Sequence, residues 1–573
     1  MRVPDVNGDG PPQDLRDAIR SARTYAAMLR ALPNVVAVRG GYKFVDGRIT
    51  DTPAVVVAVD RKLDDLPQEE RIPAVLPDGM PTDVTLADPV ERLAAAGELE
   101  ALGGLAAVQA EPLLIDELQA FDEESIVLEA LPPITYVPPP GASLEPVTGA
   151  MAVTCHVSPD AGWSVLRQFL EGTKEEITLG MYDFTAPHIS ETARLLLTGG
   201  AVDWRQTLGP HESLPGPNEP DSTKADDEPE AVVNARLAAA GAARFATTFA
   251  QVGQNRTFAS AYHIKVAVRD REATWLSSGN WQSSNQPPMD FADPAIDRTL
   301  MRRYDRDWHV VVENAALAET FRRYLRYDFD TAQTLLEAAV PGPELPDLLV
   351  PVPDELEAAA PTFDFFAPER FEFSAADPLT VQPILTPDNY VDILLTLLRD
   401  PPRTRLYFQN QSLSPIFSPT PEWTELLALL AGYSRDASLD VRIIFRDIFL
   451  TRKKIESIKA AGFEMNRVRA QVGCHTKGMI IDSDTVLIGS HNWTNQGVQA
   501  NRDASLLIRR PEIARYYERI FLHDWDRAAH SVIDEAAMPI PVVDSDDIVV
   551  EGALPEDGGT FRRVPWATLL EET

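Results

Sequence analysis

Two stretches of this chain carry the same polar residues at the same spacing, and this repeat limits the fold more than any other feature. In each copy a histidine is followed by a lysine two residues later, an aspartate seven residues later and an asparagine seventeen residues later. These residues are His263, Lys265, Asp270 and Asn280 in the first copy, and His475, Lys477, Asp482 and Asn492 in the second. Agreement at so many positions with polar or ionisable side chains predicts a duplicated domain with a pseudo-two-fold axis, not a short solenoid repeat.

The residues around each motif predict strands that bring its polar side chains together. On a strand, positions i and i+2 point to one face, so each histidine shares a space with the lysine two residues on. The apolar runs at 479–481 and 486–488 are typical of buried strands in an α/β sheet, and the residues from Asp482 between them predict a hairpin turn. The sequence therefore predicts an α/β fold for each copy.

The correspondence between the copies extends beyond the motifs and indicates the domain organisation. Three further pairs of segments match: Ser158-Pro159-Asp160 with Thr386-Pro387-Asp388, Asp305-Arg306-Asp307 with Asn501-Arg502-Asp503, and Asp328-Phe329 with Asp524-Trp525. A chain of 573 residues also exceeds one ordinary core. The predicted order is a small α+β module of unknown role at 1–90, a helical and Pro-rich linker at 91–148, one half at 149–335, a Pro/Glu-rich linker at 336–379, the other half at 380–530 and an acidic tail at 531–573.

The paired motif resembles the HxK(x4)D(x6)GSxN pattern of the phospholipase D superfamily. The second copy fits this pattern at every named position, whereas the first has Ser277 where the family usually has glycine, a change that removes no catalytic group. The resemblance covers residues 150–335 and 380–530. It implies two phospholipase D-like α/β/α sandwich halves, one active site built from both halves of a single chain, and metal-independent hydrolysis through a phospho-histidine.

The residues themselves suit the cleavage of a phosphodiester. The two lysines and the amides of Asn280 and Asn492 are donors for phosphoryl oxygens. One neutral imidazole can attack phosphorus, while the other, protonated, can donate to the leaving alkoxide and then activate water. With an unperturbed pKa of about 6.5, a histidine can hold either state near neutral pH. No metal or other cofactor is expected, because lysine is not a usual ligand and each motif offers only one histidine.

The resemblance also implies roles that the residues alone leave open. It makes His263 the nucleophile and His475 the general acid, an order that the sequence does not establish. Asp307 and Asp503 stand where the family often has an acidic residue that bonds a catalytic histidine. We therefore expect these two carboxylates to orient the imidazoles.

The remaining residues in and around the motifs are expected to have supporting or structural roles. Ser278 and Ser490 bond either the phosphate or neighbouring side chains. Asp270 and Asp482, at strand ends, are expected to be turn residues rather than catalytic ones. We expect the following residues to be structural: Trp281, Trp493, His309, His491, His523, Cys155 and Cys474. The two cysteines provide neither a disulfide framework nor a CxxC metal pattern.

The substrate is predicted from charge, which is an average over the chain. A net charge of −35 disfavours long-range attraction to nucleic acid or an anionic membrane, so phospholipid is the preferred substrate of the predicted phosphodiesterase. A nuclease of the same superfamily is the alternative, because a basic run leads into His475, although a solvated helix face explains that run equally well. The run comprises Arg446, Arg452, Lys453, Lys454, Lys459, Arg467 and Arg469. A second alternative is a non-catalytic scaffold that binds phosphate groups, against which both His–Lys pairs argue.

The sequence also bears on location. No apolar signal-peptide core follows Met1, and no apolar run approaches the roughly 20 residues of a membrane span. The expectation is a soluble, cytoplasmic protein, with signal-independent export left open. Oligomeric state, and hydrolysis as against transfer to another alcohol, are not determined by these residues.

Overall fold

The protein is built around two large mixed sheets, one for each sequence copy, with a three-stranded sheet and a helix at the N-terminus. The predicted fold class, an α/β protein with two such halves and a small N-terminal α+β module, is confirmed. The computed structural model describes residues 12–45, 48–63, 66–87, 91–92, 95, 136–209, 227–252, 256–258, 261–335, 348–351, 364–413, 420–447, 450, 452–531, 549–550 and 561–564. Most of the predicted linkers at 91–148 and 336–379, and most of the predicted tail, lie outside these residues.

The regular elements follow one another in the same order in the two halves. The N-terminal module comprises α1 (Gln13–Arg30), β1 (Val35–Val45), β2 (Arg48–Val59), a 3-10 turn (Gln68–Glu70) and β3 (Thr82–Leu86). Next come β4 (Val147–Gly149), β5 (Met151–Ser158), α2 (Gly162–Glu171), β6 (Glu176–Met181), α3 (Pro187–Thr198), β7 (Asp203–Leu208), α4 (Glu230–Gly241), a 3-10 turn (Ala242–Arg244), β8 (Phe245–Phe249), β9 (Lys265–Arg269), β10 (Ala273–Ser277), a 3-10 helix (Arg298–Arg303), β11 (Asp307–Glu313) and α5 (Ala315–Leu335).

The second half repeats this arrangement. It comprises β12 (Leu348–Pro351), β13 (Glu369–Phe373), β14 (Leu379–Leu385), α6 (Tyr390–Arg399), β15 (Arg405–Asn410), α7 (Pro421–Arg435), β16 (Asp440–Arg446), α8 (Arg452–Ala460), a 3-10 turn (Met465–Arg467), β17 (Val468–Gln471), β18 (Lys477–Ile481), β19 (Thr485–Gly489), α9 (Asn495–Gln499), β20 (Ala504–Arg509), α10 (Pro511–His523), a π-helical turn (Asp524–Ala528), β21 (Ala529–Ser531), β22 (Val549–Val550) and β23 (Phe561–Val564). The last two strands pair with β12 in a separate small sheet.

The two large sheets exchange edge strands. Their orders are β13-β5-β11-β10-β9-β6-β7-β8 and β21-β17-β16-β15-β18-β19-β20-β14-β4. Strand β4 precedes β5 in the chain but pairs with β14 of the other half, and β13 precedes β14 but pairs with β5. Part of the predicted linker at 336–379 therefore completes the sheet of the first half, and the exchange ties each half to the other through backbone hydrogen bonds.

The two sheets share one central core. Apolar side chains of both sheets pack with α5 and α10 in this central layer, while α2, α3 and α4 cover the outer face of one sheet and α6, α7 and α8 that of the other. Every residue of β18 and β19 is buried, as expected for strands covered on both faces. Along the described ranges, none of these helices is both long and apolar enough to traverse a bilayer.

The N-terminal module docks on α8, the helix that carries much of the basic run. Arg452 pairs with Asp83, Lys453 with Glu91 at 3.3 Å, and Lys459 with Asp51. Arg452 also lies over the ring of Phe44, 4.1 Å from its centroid. The solvated helix face, one of the two explanations of the basic run, is therefore wrong for these three residues, because Asp51 and Asp83 of the N-terminal sheet and Glu91 beyond it supply their counter-charges.

Candidate active site

The two motif histidines lie where the halves meet, each immediately before a central strand of its own sheet. The backbone N–H of His263 donates to the carbonyl of Arg502 at 2.8 Å, and that of His475 donates to the carbonyl of Arg306 at 3.0 Å. Both bonds cross from one half to the other. Because β9 and β18 begin two residues later, the crossing fixes the position at which each motif strand enters the interface.

Each imidazole is also bonded to a carboxylate of the opposite half. His263 Nδ1 lies 2.9 Å from Asp503 Oδ1, and His475 Nδ1 lies 2.8 Å from Asp307 Oδ1. An ionised carboxylate only accepts hydrogen bonds, so Nδ1 carries the proton and Nε2 keeps its lone pair. The structure thus pairs both predicted aspartates with the motif histidines, and it adds the exchange between halves, which sequence reasoning missed.

The motif serines hold these carboxylates. Ser278 Oγ donates to Asp307 Oδ1 at 2.6 Å, and Ser490 Oγ donates to Asp503 Oδ1 at 2.5 Å. Of the two expectations for the serines, bonding to neighbouring side chains is the one the structure supports. Each histidine therefore belongs to a Ser–Asp–His chain in which the serine and the aspartate come from one half and the imidazole from the other.

The two motif lysines are buried beside the histidines. Lys265 Nζ donates to the carbonyl of His263 at 2.7 Å, and Lys477 Nζ donates to the carbonyl of His475 at 2.9 Å. Lys477 Nζ also lies 3.1 Å from His475 Nε2, and the ring of Tyr182 lies 5.2 Å from Lys265 Nζ. Both lysines are buried, and the charge of each acts on both imidazoles, so these four groups lie close together where the halves meet.

Burial and mutual repulsion lower the pKa values of these bases. Burial, only partly offset by Asp503, lowers the pKa of Lys265 to about 8. Burial and the charge of Lys265 lower the pKa of Lys477 well below its usual value. The pKa of His263 falls to about 4, and that of His475 falls well below 6.5, in each case through burial and then the neighbouring lysine. Both imidazoles are thus neutral at neutral pH, whereas the unperturbed pKa of histidine allowed either protonation state.

The two motif asparagines are not equivalent. Asn280 Nδ2 donates to Asp183 Oδ2 at 3.0 Å, and Gln282 Nε2 donates to the same oxygen at 2.8 Å. In the second half Ser412 stands where Asp183 stands in the first, since the carbonyls of both accept from the N–H of the motif tryptophans. One N–H of the Asn280 amide is therefore engaged by a carboxylate, and its expected role as a donor to a phosphoryl oxygen stays a prediction.

Sequence reasoning missed Asp183, although it follows a strand that matches one in the other half. Its carboxylate is buried and raises the pKa of Lys265. The repeat gave no signal for it, because its counterpart in the second copy is a serine. The only available signal was an acidic residue two positions after the end of the buried strand β6, which pairs with the first motif strand.

The motif aspartates Asp270 and Asp482 lie at hairpin turns, as their strand-end position predicts. Asp270 Oδ1 accepts from the N–H of Glu175 at 2.7 Å, and Asp482 Oδ1 accepts from the N–H of Thr404 at 2.8 Å. Both residues have left-handed backbones, with φ of 53° and 54°. Despite partial burial, backbone donors and Arg403 lower the pKa of Asp482 to about 2, so it stays ionised while it holds the turn.

The serine at position 277, where the family usually has glycine, is explained by its contact with the imidazole of His309. Ser277 Oγ lies 2.6 Å from His309 Nδ1, and His309 Nε2 lies 2.8 Å from Ser158 Oγ. In the second half His491 bonds the corresponding Thr386 at 2.6 Å. A Cβ at Gly489 would meet Ser505 Oγ at 1.8 Å, so only glycine fits there. His309 and His491, which were expected to lack counterparts, thus bond two equivalent residues, Ser158 and Thr386. The two histidines themselves stand at different positions of the repeat.

Of the other residues expected to be structural, the tryptophans and the cysteines are buried in the cores. Trp281 and Trp493 pack in the outer cores of their respective halves, and Cys155 and Cys474 are buried as free thiols. His523 lies beside Asp364 and Asp524, away from the motif imidazoles. In the described part of the chain, no three histidine, cysteine or acidic residues are grouped so that they could hold a metal ion.

Comparison with known proteins relates this geometry to a family. The family described as "Cardiolipin synthase, PLD-like domain" matches residues 413–525. Mitochondrial cardiolipin hydrolase of Danio rerio is 28% identical over 78 residues, 13% of this chain and 34% of that protein. The Xenopus laevis protein of the same name is 29% identical over 101 residues, 17% of this chain and 47% of that protein. The chain thus matches less than half the length of these curated relatives.

Similar solved structures include three with different activities in their names. Phosphatidylserine synthase of Haemophilus influenzae Rd KW20 has a TM-score of 0.42 at 11% identity, covering 67% of this chain and 89% of that one. Polyphosphate kinase of Porphyromonas gingivalis has a TM-score of 0.35 at 13% identity, covering 65% and 50%. Nuc, a phospholipase D family member of Salmonella typhimurium, has a TM-score of 0.22 at 22% identity, covering 27% and 99%.

Proposed function

We propose that this chain, which belongs to the phospholipase D superfamily, hydrolyses a phosphodiester in one active site shared by its two halves. The observation that carries the proposal is the pair of exchanged His–Asp contacts, each beside a buried lysine. A phosphate between the two imidazoles would meet a lone pair at Nε2 on either side. The lysines would supply positive charge without a solvent shell to screen it.

In the proposed reaction, Nε2 of His263 attacks phosphorus and forms an N–P bond while the P–O bond to the leaving group breaks. His475 gives a proton to the leaving alkoxide. The same imidazole then takes a proton from water, whose oxygen attacks phosphorus and breaks the N–P bond. His263 is released with its lone pair, and the phosphate product leaves with the oxygen of water, so the cycle balances.

The proton on His475 must come with substrate binding. In the free protein the charge of Lys477 contributes to the low pKa of this imidazole. A phosphodiester anion bound between the lysines offsets that charge and raises the pKa of His475 in the complex. His263 is neutral above about pH 4, so it is ready to attack without losing a proton.

This arrangement predicts a pH dependence that differs between leaving groups. For a substrate with an alkoxide leaving group, kcat/KM should fall by up to about tenfold per unit as the pH rises toward about pH 8, since only the protonated fraction of His475 is competent and burial and Lys477 hold its pKa well below 6.5. For a p-nitrophenyl ester, which needs no proton, it should stay flat. Both substrates should lose activity above about pH 8, where Lys265 loses its charge. Parallel profiles for the two substrates would exclude His475 as the acid.

We also predict that activity survives exhaustive treatment with EDTA. The positive charge at the phosphate is supplied covalently by Lys265 and Lys477, so chelation has nothing to remove. Turnover of bis(p-nitrophenyl) phosphate, measured before and after dialysis against the chelator, should agree within about twofold. Loss on chelation that is restored by a divalent ion would contradict the mechanism.

We propose a phospholipid as the physiological substrate. The net charge of −35 disfavours nucleic acid, and two cations of α8, the helix that supplied much of the support for a nuclease, pair with the N-terminal module: Arg452 with Asp83 and Lys459 with Asp51. The curated relatives carry the name cardiolipin hydrolase. Arg446, another member of the basic run, pairs with Asp305 at 3.0 Å.

A substrate panel tests this proposal. Phosphatidylcholine, cardiolipin, single-stranded DNA and double-stranded DNA are offered to the purified chain, and released alcohol or shortened DNA is measured. We expect a phospholipid to be cleaved and DNA to remain intact. Cleavage of DNA alone would establish the nuclease alternative. Lack of turnover on all four substrates and on bis(p-nitrophenyl) phosphate would instead favour the phosphate-binding scaffold.

The ion pairs between α8 and the N-terminal module lead to a separate prediction. Asp83→Asn removes the counter-charge that the N-terminal module supplies to Arg452 and should weaken docking of the module by about 1–3 kcal/mol. With the helix uncovered, the variant should elute from heparin at higher salt than the unchanged protein. Asp377→Asn, which changes the net charge equally at the exposed pair with Arg510, is the control. Equal retention of both variants would mean that α8 stays covered.

A further inference from the structure

Two arginines are completely buried between the halves, one beside each His–Asp pair. Arg306 and Arg502 are both 0% exposed. The sequence repeat marks them as equivalent, because each precedes the aspartate that bonds a motif histidine. A guanidinium is always charged and is costly to bury unless carboxylates surround it. Their presence at two related sites therefore calls for a reason beyond packing.

Each arginine is held by two aspartates from different halves. Arg502 Nε and Nη2 donate to the two carboxylate oxygens of Asp328 at 2.8 and 2.9 Å, and Nη1 donates to Asp388 Oδ2 at 2.8 Å. Arg306 is the pseudo-two-fold equivalent of Arg502. It pairs with Asp160, and its Nε lies 3.1 Å from Asp524 Oδ2. Each guanidinium thus joins one carboxylate of its own half to one of the other.

The segments leading to the two halves close over these clusters. The hydroxyl of Tyr136 donates to Asp388 at 3.2 Å, and its ring lies 4.9 Å from the guanidinium of Arg502. Correspondingly, the N–H of Phe366 donates to Asp160 at 2.6 Å, and its ring lies 5.9 Å from Arg306. Both segments also supply the exchanged strands β4 and β13, so each cluster lies where a linker crosses from one half to the other.

The backbone of each arginine is part of the active site. Arg306 accepts the N–H of His475 and donates its own N–H to Gly473 at 2.8 Å, while the next residue, Asp307, bonds the imidazole. Arg502 does the same for His263, with Asp503 as the next residue. A shift of either arginine therefore moves both groups that fix one histidine, and it leaves the other histidine in place.

We propose that Arg306 and Arg502 are positioning residues, each of which sets the orientation of one histidine of the active site. Arg306 serves His475, and Arg502 serves His263. Replacing a buried ion pair with apolar groups is often neutral for stability, so stability alone does not account for two such clusters. Bidentate geometry, by contrast, fixes register between the halves. The roles given to the histidines rest on the proposed function.

The test uses Arg306→Lys and Arg502→Lys in the full chain, since lysine keeps the charge but loses the fork that spans two carboxylates. For Arg306→Lys we expect about a 100-fold loss on an alkyl-leaving phospholipid but at most about a threefold loss of the p-nitrophenolate burst. For Arg502→Lys we expect both to fall about 100-fold. Arg405→Lys, which alters a partly buried pair with Glu518 away from the histidines, is the control.

A second measurement keeps the positioning claim separate from the proposed activity. The protein has nine histidines, so selective ¹⁵N labelling resolves their imidazoles. Arg306→Lys should change the Nδ1 signal and titration of His475 but not those of His263, and Arg502→Lys should do the reverse. Equal changes at both histidines, equal losses on both substrates in Arg306→Lys, or unchanged imidazoles in folded variants would overturn the proposal. A wild-type protein without turnover would refute the proposed function, while the labelled imidazoles would still decide whether the arginines position them.

Discussion

His263→Ala should abolish turnover and leave no covalent intermediate, whereas His475→Ala should retain a first burst with p-nitrophenyl esters. Both variants should lose about 10⁴-fold or more in steady-state rate. The variants differ because attack on phosphorus needs Nε2 of His263, while a p-nitrophenolate leaving group is stable as an anion and needs no proton. Since His475 also activates water in the proposed mechanism, its removal should trap phosphate on His263.

The measurement is the mapping of acid-labile phosphate on a histidine peptide by mass spectrometry under alkaline conditions, together with the amplitude of the burst. His530→Ala, on the edge strand β21, controls for the loss of an imidazole outside the cleft. An adduct on His475 in the His263→Ala protein would reverse the two roles while leaving the reaction class intact. Wild-type rates in both variants would refute the shared site, because neither imidazole could then be essential.

The repeat predicted which residues are equivalent but not which residues are partners. Matched spacing places Asp307 and Asp503 at corresponding positions, and it is satisfied equally well if each aspartate bonds the histidine of its own half. The choice depends on how two folded sheets face each other. That arrangement is set by the shared core of α5 and α10 and by the exchanged strands β4 and β13. Both are long-range features that local periodicity does not contain.

Asymmetric features were the hardest to predict, because a comparison of the copies reveals only what they share. Asp183, which bonds Asn280, has a serine as its counterpart and was not identified. The buried pairs of Arg306 and Arg502 were visible as matched residues, yet their role depends on carboxylates that are distant in the chain. Composition likewise averaged the charge, so the contact between the N-terminal module and α8 could not be inferred from it.

The exchanged contacts make a prediction that separates the two aspartates. Asp503 is ionised, because although burial opposes it, the contact with His263 holds the pKa of its carboxyl below the ordinary value. In Asp503→Asn, an amide N–H directed at Nδ1 would favour the proton on Nε2, the atom that must attack. We expect a loss of about 10²–10⁴-fold on both alkyl and p-nitrophenyl substrates.

Asp307→Asn should behave differently, since this carboxylate bonds His475. It should lower turnover of the alkyl substrate by a similar factor while the p-nitrophenolate burst remains. If the aspartates served the histidines of their own halves, the two phenotypes would be exchanged, so these variants test the crossing in solution. Asp482→Asn, a matched change at the hairpin turn, should lower thermal stability without separating the substrates, because its carboxylate bonds backbone N–H groups and not an imidazole.

Double variants make the test quantitative. Asp503→Asn should add little to His263→Ala, because the residue that the aspartate orients is already gone, but it should lower further the burst that remains in His475→Ala. The corresponding pair is Asp307→Asn, which should add little to His475→Ala. Additive losses for Asp503 with His263, together with non-additive losses for Asp503 with His475, would mean that the orienting contacts lie within the halves. The residual steady-state rate measures the pairs with His263→Ala, which form no intermediate, and the burst measures the pairs with His475→Ala, because it reports formation of the intermediate before water is needed.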